Sequence, residues 1–188
     1  MSNVFVAVVP GGAKDNAELK KLLGKMKRTL SDREIEARWV QPDLWHVTTA
    51  FLGPMDESRR MDLVEKLQHW HPSAPDLNLR LHGLGGYPAP EQARVLWVGV
   101  GENQEFLRLQ SDLGDFLKKN SYDLGANAFH PHMTLARMRN PMSLTELIQL
   151  GGRKHFGDYP VTEFLVFHSV LQGNILKYLP ILRLPLRE

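Results

Sequence analysis

Two short segments, His46-Val47-Thr48-Thr49 and His132-Met133-Thr134-Leu135, share the form His-x-Thr-x, and both sit in apolar runs of strand character. Side chains alternate along a strand, so each histidine shares a face with the threonine two residues on. Each motif therefore presents an imidazole with a hydroxyl beside it. Two such strands placed side by side bring two histidines to one cleft. A neutral imidazole can take a proton there while a protonated one gives a proton up, which suits acid–base cleavage of a phosphodiester without a metal. Either motif alone reads best as a core histidine bonded to a backbone carbonyl, with a threonine chosen for its β-propensity. The pair, in context, reads as catalytic.

The rest of the composition narrows the chemistry. A chain of 188 residues holds one packed domain or two small interlocked lobes. The net charge of +2 permits an anionic substrate in a local pocket but does not mark a protein that coats duplex nucleic acid. The absence of cysteine excludes disulfides, thiolate zinc sites and cysteine nucleophiles. His130-Pro131-His132 and His69-Trp70-His71 have a spacing seen in metal sites, but only ordinary surface carboxylates lie near them, so neither a metal nor a cofactor is expected. No Gly-x-Ser-x-Gly elbow suggests an esterase triad. Gly83-Leu84-Gly85-Gly86 precedes no helix and reads as a turn. The opening apolar run is short and ends at Pro10-Gly11-Gly12, which suggests a buried strand rather than a signal peptide. With no stretch long enough to span a bilayer, a cytoplasmic protein without a membrane partner is expected.

The elements that must position these residues alternate. Strands are predicted at Val4 to Val9, Ala37 to Val40, His46 to Leu52 (stopping at Gly53-Pro54), Leu77 to Leu81, Val95 to Val100, His132 to Ala136, Val161 to Leu171 and Leu176 to Leu184. Gln172-Gly173-Asn174 makes the last two a hairpin. Helices are predicted at Asp15 to Leu30, Glu57 to Trp70 with Met61, Val64 and Leu67 facing inward, Gln104 to Lys119, and Ser143 to Leu150. Pro72 to Asp76 reads as a loop and Gly83 to Pro90 as a Gly- and Pro-rich connection. This order suggests an α+β fold with mostly antiparallel sheet. The layout also looks duplicated, each half supplying a helix, a His-x-Thr strand and a following helix.

With both motifs and their flanks in hand, the chain resembles the two-histidine phosphoesterase superfamily, and within it the RNA 2',3'-cyclic phosphodiesterases, also named 2'-5' RNA ligases. The resemblance runs through Phe5-Val6-Ala7-Val8, Arg38-Trp39-Val40, His46 to Gly53, Gly83-Leu84-Gly85, Arg94 to Val100, Phe129 to Arg137 and the closing strand Phe164 to Leu171. One departure is Thr49, where the family more commonly carries a bulky aliphatic residue. Facing away from His46 in a strand, it is a packing change. The resemblance implies a single bilobal domain over residues 1–188: two pseudo-symmetric α+β lobes, antiparallel sheets facing across a central groove, helices outside.

It further implies metal-independent hydrolysis of RNA 2',3'-cyclic phosphate ends to 2'-phosphomonoesters. His46 would be the general acid and His132 the general base, with Thr48 and Thr134 bonding the phosphate. Arg137 and Phe51, each five residues after a motif histidine, would flank the nucleoside, with Arg137 also near the phosphate. Such odd spacing needs a strand end or a bulge to bring them to the histidine face. Core packing is the alternative for Phe51, while the Arg137 guanidinium suits phosphate or a base. His130 would order its loop or touch the substrate edge. The partners expected are RNA ends or related nucleotides, bound by a monomer. Two alternatives stand beside this: reversible 2'-5' RNA joining at the same site, and a nucleotide- or RNA-binding module that kept the fold and lost turnover. Because the motifs carry no catalytic-metal ligand set, hydrolysis of a nucleoside 2',3'-cyclic phosphate is expected to survive EDTA. Full loss in chelator, with rescue by a divalent ion, would refute the metal-free scheme.

Overall fold

A computed structural model describes residues 2–71, 77–124, 130–172 and 175–186. The predicted loop Pro72 to Asp76, the motif-flanking Phe129 and the turn residues Gly173 and Asn174 lie outside the described residues. Eight strands and four α-helices follow in the order β1 (Ser2–Pro10), α1 (Ala17–Asp32), β2 (Ala37–Trp39), β3 (Val47–Met55), α2 (Glu57–Gln68), β4 (Asn78–Tyr87), β5 (Ala93–Val100), α3 (Gln104–Lys119), β6 (His132–Met142), α4 (Thr145–Gly151), β7 (His155–Gln172) and β8 (Ile175–Pro185). The fold is α+β, and among the described residues every strand pairing is antiparallel. Among the described residues no helix is long and apolar enough to cross a membrane.

The two halves exchange strands. The unit β1-α1-β3-α2-β4 is repeated as β5-α3-β6-α4-β7. The last strand of each half pairs with the first strand of the other: β4 with β5 through Gly85↔Trp97, and β7 with β1 through Val6↔Val166. Pairing of the start of β7 with β4, as at Leu79↔Tyr159, and of β3 with β6 at Val47↔Met133 closes the circuit. Two half-sheets result, β3-β1-β7-β8 and β2-β6-β5-β4, meeting along the motif strands. β1 is central to the first and is buried on both faces, as its unbroken apolar run requires. Val4, Val6 and Val8 join the main core with the apolar faces of the helices, among them Leu19, Leu23, Met26 and Leu30 of α1 and Phe106, Leu109, Leu113 and Leu117 of α3. Phe5 and Ala7 point the other way, into a second cluster with Leu165 and Phe167.

Helix starts follow local chemistry. The Asn16 side chain caps α1 by accepting from the Leu19 N–H at 2.6 Å, so the helix begins after Asp15, which sits in a single 3-10 turn. Asp56 caps α2 from the Arg59 N–H at 2.8 Å. Within α2 the buried residues are Leu63 and Leu67, whereas Met61 is 67% exposed. Its expected inward position is therefore corrected: two residues from Leu63 is about 200° around a helix, the opposite side.

Two further expectations give way to strand pairing. β3 does not stop at Gly53-Pro54 but runs to Met55 against Ser2 to Val4 of β1. Gly53 has φ 75°, where glycine carries no steric cost, and beyond Val47 this part of β3 is an edge, where proline's missing N–H is tolerated. The segment Gly83 to Tyr87 is likewise strand, not connection. Gly85 faces Trp97 across the β4–β5 ladder, and a Cβ there would lie 2.0 Å from the indole Cζ2. The glycine leaves the space that the indole fills. Gly85→Ala is expected to cost about 1–3 kcal/mol through overpacking. In a Trp97→Leu background that penalty should shrink, measured by denaturant unfolding of both pairs; equal penalties would show that Gly85 does not accommodate the indole.

Candidate active site

His46 immediately precedes β3 and His132 opens β6, and the same local device holds both. The His46 Nδ1–H donates to the Leu44 carbonyl at 2.7 Å, and the His132 Nδ1–H donates to the His130 carbonyl at 2.7 Å. A carbonyl oxygen only accepts, so Nδ1 carries the proton in both rings, and each neutral imidazole leaves Nε2 as its basic atom. The rung Val47↔Met133 sets the two motifs against each other, both side chains being fully buried in the core. In an antiparallel pair its flanking positions set His46 across from Thr134 and Thr48 across from His132, all four on the opposite, groove face. All four side chains are half-buried. Neither threonine hydroxyl is engaged by another described residue, so both are free to donate to a ligand.

A bulge ends each motif. Opposite β1, Thr48 pairs with Ala7 and Ala50 with Val6, which leaves Thr49 extra. Opposite β5, Thr134 pairs with Trp97 and Ala136 with Leu96, which leaves Leu135 extra. The fourth position of each His-x-Thr-x motif is therefore the bulged residue. Both are buried, and each bulge carbonyl is satisfied from outside its ladder: Thr49 O by Gln110 Nε2 at 3.3 Å, Leu135 O by the Val40 N–H at 2.8 Å. One extra residue reverses the alternation. Phe51 thus pairs with Phe5 and returns to the groove face, where it is 51% exposed, and core packing no longer accounts for it. Arg137 pairs with Val95 and returns to the face of His132 and Thr134, also exposed. The Thr49 hydroxyl is buried without a partner among the described residues, a cost that an aliphatic side chain at this packing position avoids.

The two imidazoles have different surroundings. The His46 ring stacks on Phe5 at 5.3 Å between centroids and lies 5.1 Å from Phe167, with the Tyr178 ring edge-on at 6.5 Å. The His132 ring packs against Trp97 at 5.8 Å, the indole seated over Gly85. Burial holds the His46 pKa below the ordinary 6.5, and the positive charges of Arg137 and His132 act in the same direction, while the Leu44 carbonyl partly opposes them. His130 contributes its carbonyl, and its side chain is exposed. Sequence reasoning assigned no role to Phe5, Phe167, Tyr178 or Trp97. The signal for them was the strand character of β1, β5, β7 and β8, which fixes how faces alternate but not what each face meets. Among the described residues no three His, Cys, Asp or Glu side chains converge as a metal-binding group. His69 and His71 are exposed at the end of α2, as expected of a solvated helix terminus.

The depressed His46 pKa has a consequence for stability. The unfolded chain takes up a proton at this histidine near pH 6.5, where the folded chain does not. Stability is then full above pH 6.5 and is lost as pH falls through the folded-state pKa below it. His168, also lowered by burial and by Arg60, adds in the same sense. The melting temperature should therefore fall between pH 7.5 and pH 5.5, with a shallower fall in His46→Gln. An unchanged slope in that variant would refute the burial argument.

The 2'-5' RNA ligase superfamily profile matches residues 16–164. An Aeropyrum pernix protein named RNA 2',3'-cyclic phosphodiesterase is 29% identical over 163 residues, covering 84% of this chain and 92% of the relative. One of the same name from Aquifex aeolicus is 29% identical over 150 residues, covering 74% and 77%. A crystal structure from Thermus thermophilus superposes with a TM-score of 0.73 at 23% identity, covering 98% of this chain and 97% of that one. E. coli LigT complexed with 3'-AMP superposes at 0.65 with 21% identity, covering 98% of each chain. The fold, the paired motifs and the profile match agree: the chain belongs to the 2'-5' RNA ligase superfamily, the two-histidine phosphoesterases.

Proposed function

We propose that this chain opens RNA 2',3'-cyclic phosphate ends to 2'-phosphomonoesters without a metal, working as one bilobal unit over residues 1–188. The observation that carries the reading is the matched pair of imidazoles, each tied at Nδ1 to the carbonyl two residues back and each left with Nε2 for chemistry. Water, deprotonated by His132 Nε2, attacks phosphorus; the P–O3' bond breaks, and O3' takes the proton held on His46 Nε2. The proton gained by His132 and the one lost by His46 are then exchanged with solvent. Thr48 and Thr134 donate to the non-bridging oxygens, where charge gathers in the transition state, and Arg137 offsets that charge. Phe51 and His130 border the nucleoside. The relatives named RNA 2',3'-cyclic phosphodiesterase support this substrate class.

A second reading exchanges the two roles, and the lowered pKa of His46 favours it, since a ring held neutral suits a base. The bound phosphate favours the first. Its negative charge lies beside the His46 ring and raises the pKa of that ring from its depressed value, which restores the acid form of His46. His46→Ala and His132→Ala are each expected to lower kcat by about 100-fold or more with the fold retained by circular dichroism. The wild-type rate should describe a bell against pH. With His46 as acid, the basic limb of kcat lies at higher pH than that of kcat/KM. His132→Ala then flattens the acidic limb; flattening of the basic limb instead establishes the exchanged roles. Folded variants with near-normal turnover would overturn the proposal, and nucleotide binding without turnover in the wild type would make the chain a binding module.

A further inference from the structure

β2 brings a second arginine to the groove face. Arg38 pairs directly with Arg137 in the β2–β6 ladder. The flanking pairs, Ala37↔Met138 and Trp39↔Ala136, turn to the opposite face, where Ala37 and Trp39 pack on the core and Met138 and Ala136 are buried. Arg38 and Arg137 are both exposed, and neither has a carboxylate within ion-pair distance among the described residues. Like charges directly opposite each other in a sheet destabilise it. Arg139, by contrast, on the same strand, has Glu36 at 3.4 Å. The Arg38–Arg137 rung is thus a paired positive charge that the folded chain does not neutralise by itself.

Its position is set by register. His132 pairs with Gly99 and Arg137 with Val95, four residues along β5, which is about 13 Å at the strand rise. Arg137 can extend along the face toward the imidazoles, where its charge is felt at His46. Arg38, one strand farther out, flanks a ligand that runs away from the reacting phosphorus. We propose that Arg38 and Arg137 form a second anion subsite, which takes the phosphate on O5' of the nucleoside whose cyclic phosphate reacts. That phosphate is an internucleotide diester in an RNA chain and a monoester in a 5'-nucleotide. Guanidinium groups bind either through paired N–H donors.

The inference rests on the reading of the site as one for a ribose phosphate, and equilibrium binding tests it without turnover. Three stable compounds are titrated calorimetrically: adenosine 2'-phosphate, adenosine 2',5'-bisphosphate, and a cytidylyl-adenosine dinucleotide ending in a 2'-phosphate. The 5'-phosphate should tighten binding at least tenfold in one or both of the larger compounds. A gain confined to the bisphosphate assigns the subsite to mononucleotides, and a gain with the dinucleotide assigns it to RNA. Arg38→Gln should erase the gain and reduce the slope of log affinity against log salt by about 1. The same variant should melt no lower than the wild type, since it relieves a like-charge rung. No gain in the wild type, or a gain retained in Arg38→Gln, overturns the subsite. Failure of cyclic phosphate hydrolysis, with the binding gain intact, would overturn only the proposed reaction.

Discussion

A single backbone rung, Val47↔Met133, holds the two motifs together. Among the described residues it is the one pairing between β3 and β6, and its side chains are both sealed in the core. Everything on the groove face is counted from it: one position away on each strand lie His46, Thr48, His132 and Thr134. The rung is held in turn by the strand exchange around it. Because β4 pairs with β5 and β7 with β1, neither half-sheet can shift without breaking ladders in the other. The separation of the two motif histidines is thereby fixed by buried hydrogen-bonded strands rather than by loops, as the proposed proton transfers require.

The bulges extend this order outward. A strict alternation would send Phe51 and Arg137 to the core side, which is untenable for a guanidinium. One extra buried residue after each motif threonine instead turns both side chains into the groove. The halves then diverge in chemistry while keeping the same backbone plan. The wall beside His46 is aromatic, built from Phe5, Phe167 and Tyr178. The wall beyond His132 carries Trp97, Arg137 and Arg38. An aromatic wall lowers the charge affinity of the imidazole it covers. A cationic wall repels a proton from that imidazole until an anion arrives between them. The site without ligand therefore disfavours the charged form of His46, and in the proposed reaction a phosphate between the two walls would restore it, which would link protonation to occupancy.

The amino-acid sequence by itself determined the motifs, most element types and the duplicated layout, because these are written in local periodicity and capping chemistry. Asp56 as cap of α2, the apolar stripe of α3 and the unbroken run of β1 each carry their own signal. The need for a bulge was also legible, from the odd spacing of Phe51 and Arg137 to their histidines. What the tertiary structure alone decided was anything that depends on a partner far away in the chain. Gly83 to Tyr87 carries turn residues, yet it is strand, because Trp97 fills the space that Gly85 leaves. Met61 has the composition of a core residue but the wrong angle on α2. The rings around His46 come from β1, β7 and β8, and Arg38 meets Arg137 only through a strand register. Local sequence specifies which face a side chain takes. Only long-range pairing specifies what that face meets, and the charge and burial that tune an imidazole come from what it meets.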